Sequence, residues 1–283
     1  MAPIALSNSV TSGPVNADQQ QDRLPSLSES SINVLLTGFG PFANVEVNPS
    51  WMALQPLRGK ELLRDEGRTV VKLHCQEIPV VYEEVLRRVP VMHGIAPSDE
   101  ANCMASISYD LFVHVGVSPS RTCVCLERRA RRFGYEREDF HGENAPSEIH
   151  PGSGKLSCGF LGPDWGFDNR GELGTNVDIE RIASVVNSAG LAEVNVSNDA
   201  GLYLCEYAFF ASLACALRAA KTTQSYPKPV IFVHVPNESS DFTLPQLTEI
   251  LLNMVLQLID SLHIQRTESS PHEITQSIIR DVE

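Results

Sequence analysis

Residues 229–236, PVIFVHVP, form an unbroken apolar run with a proline at each end and a single histidine, His234, near the close. A short apolar run between such breakers predicts a strand buried on both faces, as in a parallel sheet. Residues 33–37 (NVLLT) and 109–115 (YDLFVHV) have the same character, and each is followed by a glycine. We therefore predict a sheet built around these three strands.

Helical patterns alternate with the strand patterns along the chain. We predict further strands at residues 69–77 and 194–196, and helices at residues 51–57, 80–89, 177–189, 204–220 and 244–262. Alternation of short buried strands with helices is typical of a sheet covered by helices on both faces. The predicted fold class is α/β, as a single three-layer α/β/α domain with a mostly parallel twisted sheet.

The two ends of the chain set the predicted domain limits. Residues 1–31 are rich in Ser, Asn, Gln, Asp and Pro, and residues 265–283 have a similar character. Such segments bury too little apolar surface to offset the entropy of ordering. We predict a disordered N-terminal tail at 1–31, one folded domain at 32–264 and a flexible C-terminal tail at 265–283. The irregular stretch 134–174 is predicted to be a lid or insertion beside the functional site.

Charge and cysteine usage exclude several classes of function. The formal net charge of -13 disfavours binding to nucleic acids and to anionic membranes. No apolar stretch reaches the roughly 18 residues of a membrane-spanning helix, and the N-terminus has no secretory pattern. The seven cysteines form no CxxC pair and do not cluster with histidine. We therefore predict reduced thiols in a cytoplasmic protein, with neither a disulfide framework nor a metal site.

Cys205 has the placement that nucleophilic chemistry needs. It lies in SNDAGLYLCEYAFFASL (residues 197–213), where a polar, glycine-containing turn precedes an apolar helix. A thiol at a helix N-terminus lies at the positive end of the backbone dipole, which stabilises the thiolate. A buried core cysteine is the alternative interpretation, and it is the preferred one for Cys215 in the same helix.

Two histidines end apolar strands, His234 in PVIFVHVP and His114 in YDLFVHV. In open α/β sheets, functional sites gather beyond the carboxyl ends of the strands. An imidazole at this edge can take the proton of a thiol and later protonate a leaving amine. A structural histidine is the alternative for each, and the residues alone do not choose between the two.

Glu127 closes the strand-like segment TCVCLE. A carboxylate here can accept the N–H of an imidazole and fix its tautomer. The alternative is an ion pair with a neighbouring arginine: Arg121, Arg128 or Arg131. The basic cluster that follows is predicted to be a solvated face or a pair of local ion pairs: Arg128, Arg129, Arg131 and Arg132.

Phe39 and Phe42 flank Gly40-Pro41 after the first predicted strand. Glycine permits a close approach of backbone, and two aromatic rings can wall a small apolar pocket. Membership of the hydrophobic core is the equally weighted alternative for both rings.

Several segments taken together resemble pyroglutamyl-peptidase I, a family also called thiol pyrrolidone-carboxylate peptidase. They are LLTGFGPFANVEVNPSW from Leu35, EIPVVYEEV from Glu77, HVGVSPSRTCVCLE from His114, Pro151-Gly152, SNDAGLYLCEYAFFASL from Ser197, and FVHVP from Phe232. They follow the order of the family and span roughly residues 33–262, nearly all of the predicted domain. The resemblance implies the same single α/β/α domain.

The resemblance also implies a reaction. It is hydrolysis of the amide bond after an N-terminal pyroglutamyl residue of peptides, through a thioester on Cys205. The family pattern makes Cys205 the nucleophile, His234 the general base and acid, and Glu127 the orienting carboxylate, with His114 left as a scaffold residue. It implies neither a cofactor nor a metal. The implied partners are peptides with an N-terminal pyroglutamate, in the cytoplasm.

The same resemblance assigns the substrate pocket. Phe39 and Phe42 would sandwich the pyroglutamyl ring, and Tyr203 and Leu204 would line the pocket. The backbone of two further residues would help to recognise the lactam: Gly116 and Val117.

One departure keeps alternatives open. Glu206 follows the nucleophile where many relatives carry Asn, and a carboxylate pointing inward would oppose formation of the thiolate. A catalytically weakened homologue that acts as a binding or redox-sensing protein is therefore an alternative, as is a different hydrolase such as an amidase or esterase. The residues do not decide between a monomer and a homo-oligomer.

Overall fold

The computed structural model describes residues 30–42, 45–64, 67–95, 107–149, 156–158, 171–239 and 242–268. The predicted N-terminal tail up to residue 29 lies outside the described residues. So do the Pro151-Gly152 motif and residues 159–170 of the predicted lid.

Strands and helices alternate along the described chain. The strands are β1 (Ser30–Phe39), β2 (Glu61–Arg64), β3 (Thr69–Ile78), β4 (Leu111–Val117), β5 (Val124–Glu127), β6 (Arg129–Arg131), β7 (Ser147–Ile149), β8 (Leu156–Cys158), β9 (Glu172–Gly174), β10 (Val194–Ser197) and β11 (Val230–Val235). The helices are α1 (Pro49–Met52), α2 (Tyr82–Met92), α3 (Ile179–Ser188), α4 (Leu204–Thr223) and α5 (Leu244–Glu268), with a short 3-10 helix at Gln55–Leu57.

The central sheet has seven strands in the order β10-β5-β11-β4-β1-β3-β2. The middle strands β11, β4, β1 and β3 run parallel to one another. Strand β5 is antiparallel to β11, and the edge strand β2 is antiparallel to β3. The sheet is therefore mostly parallel, as the sequence predicts, and the carboxyl ends of β1, β4 and β11 meet at one edge.

Helices cover both faces of this sheet. Successive residues of β1 point to opposite sides: Leu35 packs in the core cluster that includes α2 and α4, whereas Val34 and Leu36 pack in the cluster that includes α3 and α5. The central strands are buried on both faces, which explains their unbroken apolar sequences. The predicted three-layer α/β/α architecture is confirmed.

Several predicted elements differ from the observed ones. The helix predicted to stop before Pro90 continues to Met92, because a proline in the last turn interrupts only the end of the hydrogen-bond ladder. The strand predicted to stop at Gly116 continues to Val117, because β11 pairs with it through Val235. The helix predicted at 51–57 divides into α1 and the 3-10 helix.

The final helix also differs from the prediction. Helix α5 continues to Glu268, past the predicted domain boundary at residue 264, and residues 269–283 lie outside the described residues. At the other end, β1 already begins at Ser30, where it pairs with Thr69.

Candidate active site

Cys205 lies in the first turn of α4, as predicted, and its side chain is partly exposed. The sulfur lies directly above strand β4. A Cβ added to Gly116 would approach the Cys205 Sγ to 2.7 Å and the Phe232 ring to 2.9 Å. Any side chain at position 116 would therefore displace the thiol, so this glycine makes room for the sulfur.

The turn before Cys205 has a strained backbone. Gly201 has φ of 98° and Leu202 has φ of 48°, a conformation that non-glycine residues seldom adopt. The N–H of Leu202 donates to Glu206 Oε2 at 2.7 Å. The carboxylate of Glu206, in the same first turn, thus fixes the backbone that leads to the thiol.

Glu206 is 1% exposed, and its charge is paired. Arg131 donates to its carboxylate from the backbone N–H at 2.8 Å, from Nε at 2.7 Å and from a terminal nitrogen at 2.8 Å. The same guanidinium pairs with Asp199. The carboxylate that follows the candidate nucleophile is therefore neutralised by Arg131, which answers the concern that it opposes a thiolate.

His234 and Glu127 form a buried hydrogen-bonded pair. His234 Nδ1 lies 2.8 Å from Glu127 Oε1, and both side chains are almost fully buried. His234 also shares a hydrogen bond with the Cys205 side chain. The structure thus brings together the thiol, imidazole and carboxylate from α4, β11 and β5, with the imidazole in the middle.

The electrostatics of His234 follow from these neighbours. Burial alone would lower its pKa, but attraction to Cys205 and hydrogen bonds to Cys205 and Glu127 outweigh burial and raise the pKa to about 9. The imidazole therefore favours its protonated form at neutral pH. A protonated imidazole beside a thiol favours a thiolate–imidazolium pair.

The antiparallel pairing of β5 with β11 brings Glu127 into reach. In this register His234 lies opposite Cys125, and Glu127 lies opposite Phe232. The carboxylate reaches the imidazole diagonally across the two strands. Arg121 lies 3.7 Å from the same carboxylate oxygen, so the predicted alternative of an ion pair for Glu127 coexists with the histidine contact.

His114 has a different environment. It lies deeper in the sheet, opposite Phe232 of β11, and its side chain is 0% exposed. Its Nδ1 lies 2.7 Å from Thr37 Oγ1. Burial lowers its pKa to about 4, so the imidazole is neutral. The structure does not bring His114 into the cluster around Cys205.

An apolar pocket of about 410 Å³ opens beside Cys205. Five of the six predicted pocket residues line it: Phe39, Phe42, Val117, Tyr203 and Leu204. The sixth, Gly116, lies beneath the sulfur and is not among the lining residues. Phe39 is 2% exposed and packs in the core as well as on the pocket wall, so both interpretations of this ring hold.

A second cavity, the polar groove, opens beside the first and has a volume of about 610 Å³. It is lined by polar side chains that include Ser118, Ser120, Arg121, Asn198 and Asp199. The apolar pocket and the polar groove share Ser118, Ser120, Ala200, Gly201 and His234 as a common wall. Among the described residues, no three His, Cys, Asp or Glu side chains group as metal ligands.

Sequence reasoning missed one arginine of the site, Arg137. It lines the apolar pocket, and its guanidinium lies 4.1 Å from the centroid of the Tyr203 ring. Arg137 lies in an irregular stretch, so no strand or helix pattern indicated its place. Arg121, which the sequence offered only as an ion-pair partner of Glu127, also lines the polar groove. The basic cluster does form ion pairs, Arg128 with Glu180, Arg129 with Glu172 and Arg131 with Glu206, but the partners lie on other elements and are not local.

A thiol at a helix start, a buried imidazole and a carboxylate behind it, at one edge of an α/β/α sheet, are the groups of a cysteine-type hydrolase. A family model described as pyroglutamyl peptidase matches residues 32–137. Human pyroglutamyl-peptidase 1 is 33% identical over 230 residues, covering 81% of this chain and 90% of the human protein. The chain belongs to the pyroglutamyl peptidase family.

More distant relatives share the same fold. Pyrrolidone-carboxylate peptidase of Pyrococcus furiosus is 28% identical over 208 residues, covering 72% of this chain and 81% of the relative. A solved structure of a mutant of a pyrrolidone carboxyl peptidase from P. furiosus has a TM-score of 0.58 at 22% identity, covering 82% of this chain and 100% of that one. The pyroglutamyl peptidase I structure from Bacillus amyloliquefaciens has a TM-score of 0.58 at 20% identity, with 81% and 97% covered.

Within the described residues, no helix combines the length and the apolar character required to span a lipid bilayer.

Proposed function

We propose that this protein is a cysteine omega-peptidase that hydrolyses the amide bond after an N-terminal pyroglutamyl residue of peptides. Cys205 acts as the nucleophile, His234 as general base and acid, and Glu127 as the carboxylate that orients the imidazole. The observation that carries this proposal is the hydrogen-bonded series Glu127–His234–Cys205 beside a small apolar pocket.

The reaction proceeds in two halves. The Cys205 sulfur attacks the carbonyl carbon that joins pyroglutamate to the next residue, forming a C–S bond, and the amide C–N bond breaks as His234 gives its proton to the leaving amine. Water then attacks the thioester while His234 takes a proton from it. The C–S bond breaks, pyroglutamate leaves, and the thiolate–imidazolium pair is restored.

The first turn of α4 supports the charge that develops on the carbonyl oxygen. Backbone N–H groups at a helix start have no partner within the helix, and Cys205 lies in this first turn. The Tyr203 side chain does not cap this helix start. Each donor aimed at a developing oxyanion is typically worth about 3 kcal/mol. The bond from Leu202 N–H to Glu206 keeps this turn in place.

The apolar pocket suits a neutral lactam better than a free amino terminus. No Asp or Glu is present among the described residues that line it, so an ammonium group would lose water without gaining a counter-charge. Phe39 and Phe42 offer aromatic walls for the ring, with Tyr203 and Leu204 beside them. The backbone near Val117 supplies hydrogen-bonding groups for the lactam.

The remaining assignments concern the whole chain. We propose one pyroglutamyl-peptidase-like domain starting near residue 32 and ending near residue 264, with the polar ends as tails. We also propose a cytoplasmic location. Five cysteines are free thiols, namely Cys75, Cys123, Cys125, Cys205 and Cys215, and all of these except Cys205 are buried. Reduced thiols suit a reducing compartment.

Hydrolysis of a pyroglutamyl-coumarin amide by the wild type and by Cys205→Ala tests the proposal. We expect turnover by the wild type and none above background by the variant, with the fold preserved by circular dichroism. A panel of aminoacyl-coumarins tests for another hydrolase, and rapid alkylation of Cys205 by iodoacetamide at neutral pH tests for an active thiol. Full activity of Cys205→Ala would end the proposal.

A further inference from the structure

The apolar pocket and the polar groove are lined by different catalytic side chains. Cys205 borders the apolar pocket, whereas His234 borders both the apolar pocket and the polar groove. The histidine therefore stands in the wall between a small apolar compartment and a larger polar one.

The order in which the bonds break indicates which part of the substrate lies in each cavity. The acyl group remains on Cys205 and stays on the sulfur side, in the apolar pocket. The leaving amine must lie within hydrogen-bonding reach of the imidazole that protonates it. The chain attached to that amine therefore leaves past His234, toward the polar groove.

We propose that the polar groove binds the peptide that follows the pyroglutamyl residue, through hydrogen bonds to its main chain. This inference rests on the proposed function. The groove has a volume of about 610 Å³, against about 410 Å³ for the pocket that takes the pyroglutamyl residue, so it has room for the start of the leaving peptide.

The charges around the groove favour main-chain recognition over recognition of a charged side chain. Arg121 donates to Ser197 Oγ at 2.9 Å and to the Asp199 carbonyl at 3.0 Å, and it lies 3.7 Å from Glu127. The carboxylate of Asp199 pairs with Arg131. Taken together, the charges of Arg121, Arg131 and protonated His234 balance those of the carboxylates they contact: Glu127, Asp199 and Glu206. The groups that the groove presents to a ligand are its hydroxyl, amide and backbone dipoles.

Peptide length supplies the test. We compare kcat/KM for pyroglutamyl-Ala amide and pyroglutamyl-Ala-Ser-Ala amide, which have the same residue after the scissile bond and the same charge. Contacts with a remote part of a substrate raise kcat/KM, so we expect the longer peptide to be favoured about tenfold.

A substitution in the groove tests whether the preference for the longer peptide arises there. Asn198 lines the groove and does not line the apolar pocket, and its exposed side chain makes Asn198→Trp a way to fill the groove. We expect Asn198→Trp to reduce the preference for the longer peptide to less than about twofold. Thr222→Trp, an exposed substitution near the end of α4, is the matched control and should keep the full preference.

Two results would overturn the inference: equal kcat/KM for the two peptides in the wild type, or an unchanged length preference in Asn198→Trp. Either result leaves the proposed function standing, provided that the wild type hydrolyses pyroglutamyl-coumarin. Loss of that hydrolysis in the wild type would instead contradict the proposed function.

Discussion

His114 and His234 lie on neighbouring parallel strands and end similar apolar sequences, yet the structure gives them opposite properties. His114 has a hydroxyl partner, Thr37, and burial lowers its pKa to about 4. His234 is also buried, but a thiol and a carboxylate lie on either side of its ring, and the pKa rises to about 9. Burial lowers the pKa of both imidazoles, and only His234 has neighbours that outweigh it.

The difference arises from the positions of the two histidines along their strands. His234 is paired with Gly116, at the level where the Cys205 sulfur fits above the glycine, whereas His114 is paired with Phe232, further into the sheet. A displacement of two residues along the ladder separates a reactive position from a structural one.

The largest expected effect is that of removing the charged imidazole. His234→Ala deletes the general base and acid together, and we expect kcat/KM for pyroglutamyl-coumarin to fall about 10⁴-fold or more. Steady-state kinetics at neutral pH measure it. A loss smaller than that caused by His114→Ala would reverse the assignment of the base.

The next effect is that of the carboxylate behind His234. Glu127→Gln keeps the shape but removes the negative charge that helps to raise the pKa of His234, and we expect a loss of about 10²- to 10⁴-fold in kcat. Protonation of His234 is present below its raised pKa and is lost above it. The wild-type pH–rate profile should therefore fall near pH 9.

In Glu127→Gln, the alkaline limb should move to lower pH, because one cause of the raised pKa has gone. An alkaline limb at the same pH in both proteins would show that Glu127 does not act on the imidazole. Circular dichroism of both proteins across the same pH range separates this effect from unfolding.

A smaller effect is expected at the pocket wall. Phe42 is half-buried, so Phe42→Ala removes part of the ring contact at little cost to the fold, and KM should rise about tenfold with kcat nearly constant. Phe39 is the less useful probe because it is also a core residue, and its loss would lower stability as well. An unchanged KM in Phe42→Ala would remove this ring from the pocket.

The smallest effect on rate is expected at the structural histidine. His114→Ala should change kcat/KM less than about threefold, since the ring contacts neither Cys205 nor the pocket. It should still lower the free energy of unfolding by about 2–4 kcal/mol, because it leaves a cavity and an unpaired Thr37 hydroxyl. Denaturant unfolding measures the second quantity, and a purely catalytic loss without destabilisation would contradict the account.

The two histidines also show which features of the site can be predicted from the sequence. Apolar runs predict the buried strands, and the placement of Cys205 before an apolar helix predicts the helix start. Residue patterns alone left His114 and His234 equivalent, and the family motifs separated them. The antiparallel pairing of β5 with β11 has no local sequence signal, because register depends on contacts between distant segments. The reach of Glu127 to His234 therefore became visible only in three dimensions.

Glu206 and Arg131 give a second case. The sequence places the carboxylate of Glu206 beside the candidate nucleophile, and by itself this indicates that Glu206 opposes the thiolate. Arg131, in the cluster of arginines, lies 75 residues earlier in the chain. Only the fold reveals that the two charges meet and that the pair holds the turn before Cys205. A buried charge is tolerated where its partner satisfies it, and sequence alone does not identify the partner.

Rapid-quench mass spectrometry during turnover of a pyroglutamyl peptide tests the central claim most directly. The account predicts that a pyroglutamyl group is carried on the peptide that contains Cys205, that it forms before free pyroglutamate is released, and that it is absent in Cys205→Ala. An acyl group on any other residue, or rapid turnover without an acylated Cys205, would contradict it.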